Sequence, residues 1–288
     1  MKIIITGAAG FIASHLAEAL MEMGHEIIGI DDLSSGYKEN IPVGVKFIQE
    51  DVGKVTTQMI KGADAIFHLA ASKKNVCLKD PKRDLDVNAK GTLHLLQICR
   101  EMGVRRFIHY STGSVIGESL EPVDEHSPCR PVSYYGISKL AGENYVNMFW
   151  ELGMDTTVIR PHHVYGARQE NKDGLGGVIA IFKRRIKEGL SIEITGDGSQ
   201  ERLFTHVSAL VDAGINALYN SDSVGLTFNI ASGEKTTINE LAKLMGAKKI
   251  NYAPEAEGDI HTFNVDNTLS KAILKINYLP LKEGLKLL

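Results

Sequence analysis

Cysteine is scarce. The 288-residue chain holds three, Cys77, Cys99 and Cys129, far apart and never as C-x-x-C. That spacing argues against a zinc site and a disulfide framework, and fits a reducing compartment. Long apolar runs are missing as well. The start, MKIIITGAAGFIASHLAEAL, imitates a signal peptide for a few residues, but Thr6, Gly7 and Gly10 interrupt it and His15 and Glu18 follow. No stretch is apolar for long enough to span a bilayer, so the sequence predicts a cytoplasmic protein. Nor is there an excess of one charge. A formal net charge of −3 gives no basic surface for nucleic acid. Repeats, low-complexity tracts and flexible linkers are absent.

What the chain does have is alternation. Short apolar runs at 2–6, 26–30, 45–49, 64–69, 106–111 and 155–160 alternate with helical patterns near 11–23, 83–102 and 134–151. Continuous apolar strands are those covered by helices on both faces, so the pattern predicts an α/β fold with a doubly wound, Rossmann-like parallel sheet. Beyond residue 165 the pattern loosens into helices at 178–188, 207–219 and 237–245, strands at 191–194 and 226–230, and the turn GDGS (196–199). We expect a first domain over 1–165 and a smaller α/β part over 166–288 packed on it, with a cleft between.

The stretch TGAAGFIASHL (6–16) follows the first strand and opens a helix. Gly7, Gly10 and Ala13 permit a tight turn and close approach of backbone to a pyrophosphate, which would sit where the N–H groups of Phe11 and Ile12 begin the helix. Asp31 closes the second strand, 24 residues after Gly7. A carboxylate there can accept both ribose hydroxyls of an adenosine and repels a 2′-phosphate, favouring NAD over NADP. Asp51 and Val52, ending the third strand, are placed to meet the adenine. Both aspartates could equally be turn-formers.

In SYYGISKLAGE (133–143), Tyr135 and Lys139 stand four apart and share a helix face, while Tyr134 points elsewhere. Alone this is a common surface pairing. As chemistry, a tyrosine with a pKa of ~10 needs about 4 kcal/mol of phenolate stabilisation to act as a base near neutrality. A positive charge at ~4–5 Å supplies roughly 3–4 kcal/mol at an effective dielectric near 20.

Taken together, these pieces resemble the extended short-chain dehydrogenase/reductase family, especially NAD-dependent nucleotide-sugar epimerases of the UDP-glucose 4-epimerase type. The resemblance runs nearly end to end: TGAAGFIASHL, DDLSSG (31–36), HLAA (68–71), VNAKGTLHLL (87–96), RFIHYSTGSVIGE (106–118), YGISKLAGE (135–143), RPHHVYGARQ (160–169), GVIAIFKRRIKEG (177–189), GDGSQERLFTHV (196–207) and FNIASGE (228–234). It implies a catalytic set of Thr112, Tyr135 and Lys139, with Ser111 and Ser114 as alternatives to Thr112. It implies that NAD is held by Gly7, Gly10, Phe11, Ile12, Asp31, Asp32, Ser35, Gly36, Asp51, Val52, Leu69, Ala70, Ala71, Lys73, Asn88, Ser111, Tyr135, Lys139 and His162. The substrate would meet Thr112, Tyr135, His163, Gly177, Val178 and Arg202, the last gripping the diphosphate.

Family dehydratases carry Thr-Asp-Glu where this chain has Thr112, Gly113 and Ser114, and family decarboxylases typically carry a Glu nearby. Without an added acid and base, oxidation followed by re-reduction fits best: inversion at C4 of a UDP-hexose through a 4-keto intermediate. A reductase, dehydratase or decarboxylase, or a noncatalytic NAD-binding protein, is the alternative. Two departures bear on the substrate. His163 stands where the family usually has Asn, and Ala256 where it often has Arg. His162 and His163 have no third partner at metal-ligand spacing, so no metal is expected. The charge run Lys183, Arg184, Arg185, Lys187 fits a solvated helix face. The resemblance further implies a homodimer through helices 83–102 and 134–151.

Overall fold

Apolar runs this short can only bury both faces by pairing with one another. In the computed structural model they form β1 (Lys2–Thr6), β2 (Glu26–Asp31), β3 (Lys46–Gln49), β4 (Ala65–His68), β5 (Arg106–Tyr110) and β6 (Asp155–Pro161). Between them lie α1 (Phe11–Glu22), α2 (Lys74–Lys79), α3 (Pro81–Leu85), α4 (Thr92–Glu101) and α5 (Tyr134–Glu151). There follow β7 (Val164–Tyr165), α6 (Val178–Lys187), β8 (Ile192–Thr195), β9 (Glu201–Leu203), β10 (Thr205–His206), α7 (Val207–Tyr219) and β11 (Thr227–Ile230). The chain ends through β12 (Lys235–Thr237), α8 (Ile238–Leu244), β13 (Ile250–Ala253), α9 (Thr268–Ile273) and α10 (Leu281–Gly284). The structure describes residues 1–72, 74–117, 119, 121–169, 176–254 and 264–288. Lys73 and Ala256 lie outside the described residues.

The main sheet has seven strands in the order β11-β6-β5-β4-β1-β2-β3, all parallel. This is the doubly wound, Rossmann-like fold expected. Neighbouring residues of β1 serve opposite faces, as the two-residue period requires. Ile3 and Ile5 pack with Leu16, Phe67, Ile108, Leu210 and Phe228 under α1 and α7. Ile4 packs with Ile66, Leu95, Phe107, Val146 and Phe149 under α4 and α5. The strand order turns back between β1 and β4, and a cleft opens there at the carboxyl ends of the strands, the switch point of such sheets.

The boundary drawn at 165 does not divide the sheet cleanly. β11, from the second part, completes it beside β6 in the register Thr227↔Val158 to Ile230↔Pro161. The second part also has its own core, with Ile179, Phe182, Ile192, Phe204 and Leu241 fully or nearly buried, and Tyr165 at the boundary packs into it. Its remaining strands pair only in twos: β10 with β7, β12 with β9, β13 with β8. The single helix expected over 83–102 is interrupted. A π-helical turn spans Asp86–Gly91 between α3 and α4. Thr92 Oγ1, at the start of α4, donates back into it to Asn88 O at 2.6 Å, while the Asn88 side chain is committed elsewhere.

Candidate active site

The glycine-rich turn does what its spacing requires. Gly7 adopts φ +72°, and a Cβ there would lie 2.7 Å from Ala70 N, so no side chain fits. Helix α1 then starts at Gly10 with no side-chain cap, leaving its N-terminal turn to face the cleft. The cleft has a volume of about 430 Å³. Of the expected cofactor residues, Gly7, Gly10, Phe11, Ile12, Asp31, Asp32, Ser35, Gly36, Val52, Leu69, Ala70, Ala71, Ser111 and Tyr135 line it, as does Thr112.

At one end stand carboxylates. Asp31 is nearly buried and accepts from Ala9 N at 3.0 Å and Leu33 N at 2.7 Å. Asp32 accepts from Ser34 N at 2.9 Å and Ser34 Oγ at 2.6 Å. Asp51 is not among the lining residues. One oxygen caps Gly53 N at 2.7 Å and the other pairs with Arg83 Nη1 at 2.6 Å. Burial pushes the Asp51 carboxyl up, but the Gly53 N–H and the Arg83 guanidinium outweigh it and hold it below the usual range. Sequence reasoning missed Arg83, whose guanidinium also reaches Asp32 at 2.9 Å and lines the cleft. Its signal is faint: an arginine three residues after the Asp80 cap of a five-residue helix.

At the other end stand the hydroxyls. Ser133 caps α5 by accepting from Gly136 N at 3.1 Å, which sets the helix phase. Tyr135 therefore faces the cleft while Tyr134 is 56% exposed. Gly136 lets the helix close on the loop after β5, since a Cβ there would meet Ser114 O at 2.6 Å. The loop presents Thr112, which accepts from Ser114 N at 3.2 Å and hydrogen-bonds Tyr135. Beside it, Ser111 Oγ is buried with no partner among the described residues. A buried hydroxyl left unpaired at a cleft wall is a position for a ligand atom.

Lys139 takes the i+4 position below Tyr135 but does not line the cleft. It is 1% exposed, donates to Tyr110 O at 2.7 Å and sits 3.5 Å from His109 Nε2. Burial brings its pKa down to about 8, opposed by Glu143 and Asp84. Burial pushes Tyr135 up to about 12; the Thr112 hydrogen bond opposes this, and Cys77 and Asp84 add to it. The ammonium is held toward Tyr110 and His109, so the balancing charge has to come from the cleft side.

The other expected residues lie outside the lining set. Asn88 is a buried brace: it accepts from Ser72 N at 2.9 Å and donates to Asp84 at 2.8 Å and Ser138 at 3.0 Å. His162 is buried, 3.2 Å from Asn229 Oδ1, and packed so closely on Gly113 that a Cβ would lie 2.3 Å from its ring. His163 is exposed at φ +42°, so the adjacent histidines diverge. Gly177 caps α6, Val178 begins it, and Arg202 lies on β9 with Nη1 2.8 Å from Glu201 O. Behind α5, Arg160 and Glu143 form a buried ion pair at 2.8 Å. Among the described residues no cluster of His, Cys, Asp or Glu could hold a metal, and no helix is long and apolar enough to cross a membrane.

The chemistry of the lining fits a dinucleotide. A glycine cradle and an uncapped helix start suit a pyrophosphate, carboxylates suit ribose hydroxyls, and Ser111, Thr112 and Tyr135 flank the reacting end. Comparison with known proteins agrees. A family model described as the NAD dependent epimerase/dehydratase family matches residues 3–231. The chain is 36% identical to a UDP-glucose 4-epimerase of Mycolicibacterium smegmatis, over 95% of this chain and 92% of the relative. The crystal structure of UDP-glucose 4-epimerase with UDP-glucose from Thermotoga maritima superposes with a TM-score of 0.92 at 34% identity, covering 100% of this chain and 97% of that one. A UDP-glucuronic acid 4-epimerase from Bacillus cereus, in complex with UDP-glucuronic acid and NAD, superposes with a TM-score of 0.90 at 28% identity, covering 100% and 97%. A glycine-cradled cleft lined by Tyr135 and Thr112 thus belongs to an NAD-dependent nucleotide-sugar-modifying enzyme, and the chain is a member of the NAD-dependent epimerase/dehydratase family.

Proposed function

We propose that the protein inverts C4 of a UDP-hexose through a 4-keto intermediate. The observation that carries this reading is the pairing of Tyr135 with Thr112 at the cleft, in a loop that continues as Gly113 and Ser114 without a carboxylate. NAD, when bound, supplies the hydride acceptor and donor and a positively charged ring at the reacting end. Tyr135 removes the proton from the sugar hydroxyl and returns it after the ring has presented its opposite face. Thr112 bridges the phenol and the sugar oxygen. Lys139, anchored on Tyr110 O, fixes the helix face that aims the phenol and is assigned to the cofactor ribose. Elimination of water or CO₂ would call for a further acid or base, and none stands at 113 or 114.

In this reading the second part supplies the substrate contacts, with Arg202 on the diphosphate and His163, Gly177 and Val178 near the sugar. The enzyme works in the cytoplasm as a homodimer through the helical segment 83–102 and α5. Exposed apolar side chains in these segments, Leu85 on α3 and Ile137 and Met148 on α5, support the dimer. The test is incubation with UDP-glucose, UDP-galactose and their N-acetyl and uronic acid counterparts, without added reductant. Interconversion of C4 epimers at constant mass supports the reading; a lighter product makes the enzyme a dehydratase or decarboxylase.

A further inference from the structure

Arg83 comes from α3 and reaches over the carboxylate end of the cleft. Its two terminal nitrogens take separate partners, Asp32 at 2.9 Å and Asp51 at 2.6 Å, tying the turn after β2 to the turn after β3. The pairing is not deeply buried, with the three side chains 34%, 29% and 21% exposed. Among the described residues lining the cleft, Arg83 is the only lysine or arginine. Asp31, Asp32 and Glu50 line the same end. Asp31 is locked in place by two backbone N–H groups, so its charge cannot turn away from a ligand.

We propose that Arg83 is the residue that sets how strongly this site rejects a phosphate on the adenosine 2′-oxygen. The proposal rests on the cleft being the dinucleotide site. A 2′-phosphate brings two negative charges to a wall of three carboxylates, and among the described lining residues one cation is at hand to meet it. The fork geometry of a guanidinium suits phosphate oxygens. That cation is engaged twice, however. A phosphate draws it away only by leaving Asp32 or Asp51 uncompensated. Selectivity is therefore set by a competition between two aspartates and the phosphate for one guanidinium, and not by the carboxylate after β2 alone. Removing Arg83 leaves the phosphate facing carboxylates only and widens the preference. Removing one of its partners frees the guanidinium and narrows it.

The test needs no turnover. Adenosine 5′-monophosphate and adenosine 2′,5′-bisphosphate differ only by the 2′-phosphate, and each is titrated calorimetrically into the unaltered protein, Arg83→Gln, Asp32→Asn and the double variant. The ratio of the two Kd values should rise at least tenfold in Arg83→Gln and fall at least tenfold in Asp32→Asn. In the double variant the fall should vanish, because no guanidinium remains to be freed. If Arg83→Gln weakens both nucleotides equally, the arginine only braces the two turns and the proposal is overturned. It is likewise overturned if Asp32→Asn narrows the ratio as much without Arg83 as with it. Should Arg83→Gln not fold, Arg83→Lys/Asp32→Asn keeps one charge and must retain the narrowed ratio. If neither nucleotide binds the unaltered protein, the dinucleotide reading itself fails.

Discussion

At the dinucleotide end, the groups that face the cleft are set by backbone: a glycine at φ +72°, an uncapped helix start, and an aspartate held by two main-chain N–H groups. In the second part, Arg202, His163, Gly177 and Val178 sit on a short edge strand, an exposed bend and a helix start, and none of them lines the cleft. The difference teaches where specificity is stored. A site common to many substrates is built into strand ends and turns, where a seven-stranded sheet fixes geometry. On the proposed function, contacts with a particular sugar fall on two-stranded pieces and loops, which can change without disturbing the core.

If that division holds, variants at the two regions should separate turnover, substrate affinity and stability. The largest effect is expected at the phenol. Tyr135→Phe keeps the ring and removes the proton acceptor, lowering kcat by roughly 10²–10⁴-fold while NAD binding, followed by fluorescence titration, stays within threefold. Next, Arg202→Ala should weaken nucleotide-sugar binding by roughly 2–4 kcal/mol through lost charge-assisted hydrogen bonds, with no change in NAD affinity. Equal loss of both ligands in the calorimeter would join the two regions into one site and break the comparison.

A smaller effect concerns the buried layer beneath Lys139. His68 and His109 are held neutral by burial and by the Lys139 charge, His68 at about 3 and His109 well below its ordinary value of 6.5. The unfolded chain takes up these protons first, so stability is present above about pH 6.5 and is lost as pH falls toward the folded values. Between pH 7 and pH 5 His68 should account for about 2 kcal/mol of that loss, and His109 adds to it in the same direction. His109→Phe should therefore flatten the urea-midpoint profile over this range by about one histidine's share. A profile parallel to that of the unaltered protein would show that His109 is already charged. The smallest effect is expected at Tyr134→Phe, less than twofold in kcat, since that side chain points to solvent.

Much of this was legible in advance where the signal was periodic or steric. The apolar runs gave the six strands from 2 to 161 nearly to the residue, because strands covered on both faces are mostly apolar. The i, i+4 spacing placed Tyr135 and Lys139 on one face of α5. Other features were not legible. The π turn over Asp86–Gly91 holds a buried Asn88 whose partners come from the loop after β4, α3 and α5, and no local pattern encodes that. Residues 64–69 and 106–111 marked strands, but that His68 and His109 meet across them at 5.1 Å is a matter of register. Where the Lys139 ammonium ends is hidden for a related reason. A helix face says where a side chain leaves the backbone, not which carbonyl its ammonium finds. Arg83 was hidden because its partners lie 51 and 32 residues away in sequence, on two separate turns.

The central claim is that this cleft oxidises and re-reduces one carbon without letting the intermediate go. The most direct measurement is the fate of a deuterium at C4 of UDP-glucose during turnover by the purified protein in ordinary water, read by NMR of the product. The account predicts a C4-inverted sugar that keeps its deuterium at C4 at constant mass. Loss of the label to solvent, or a product lighter than the substrate by water or CO₂, would contradict it.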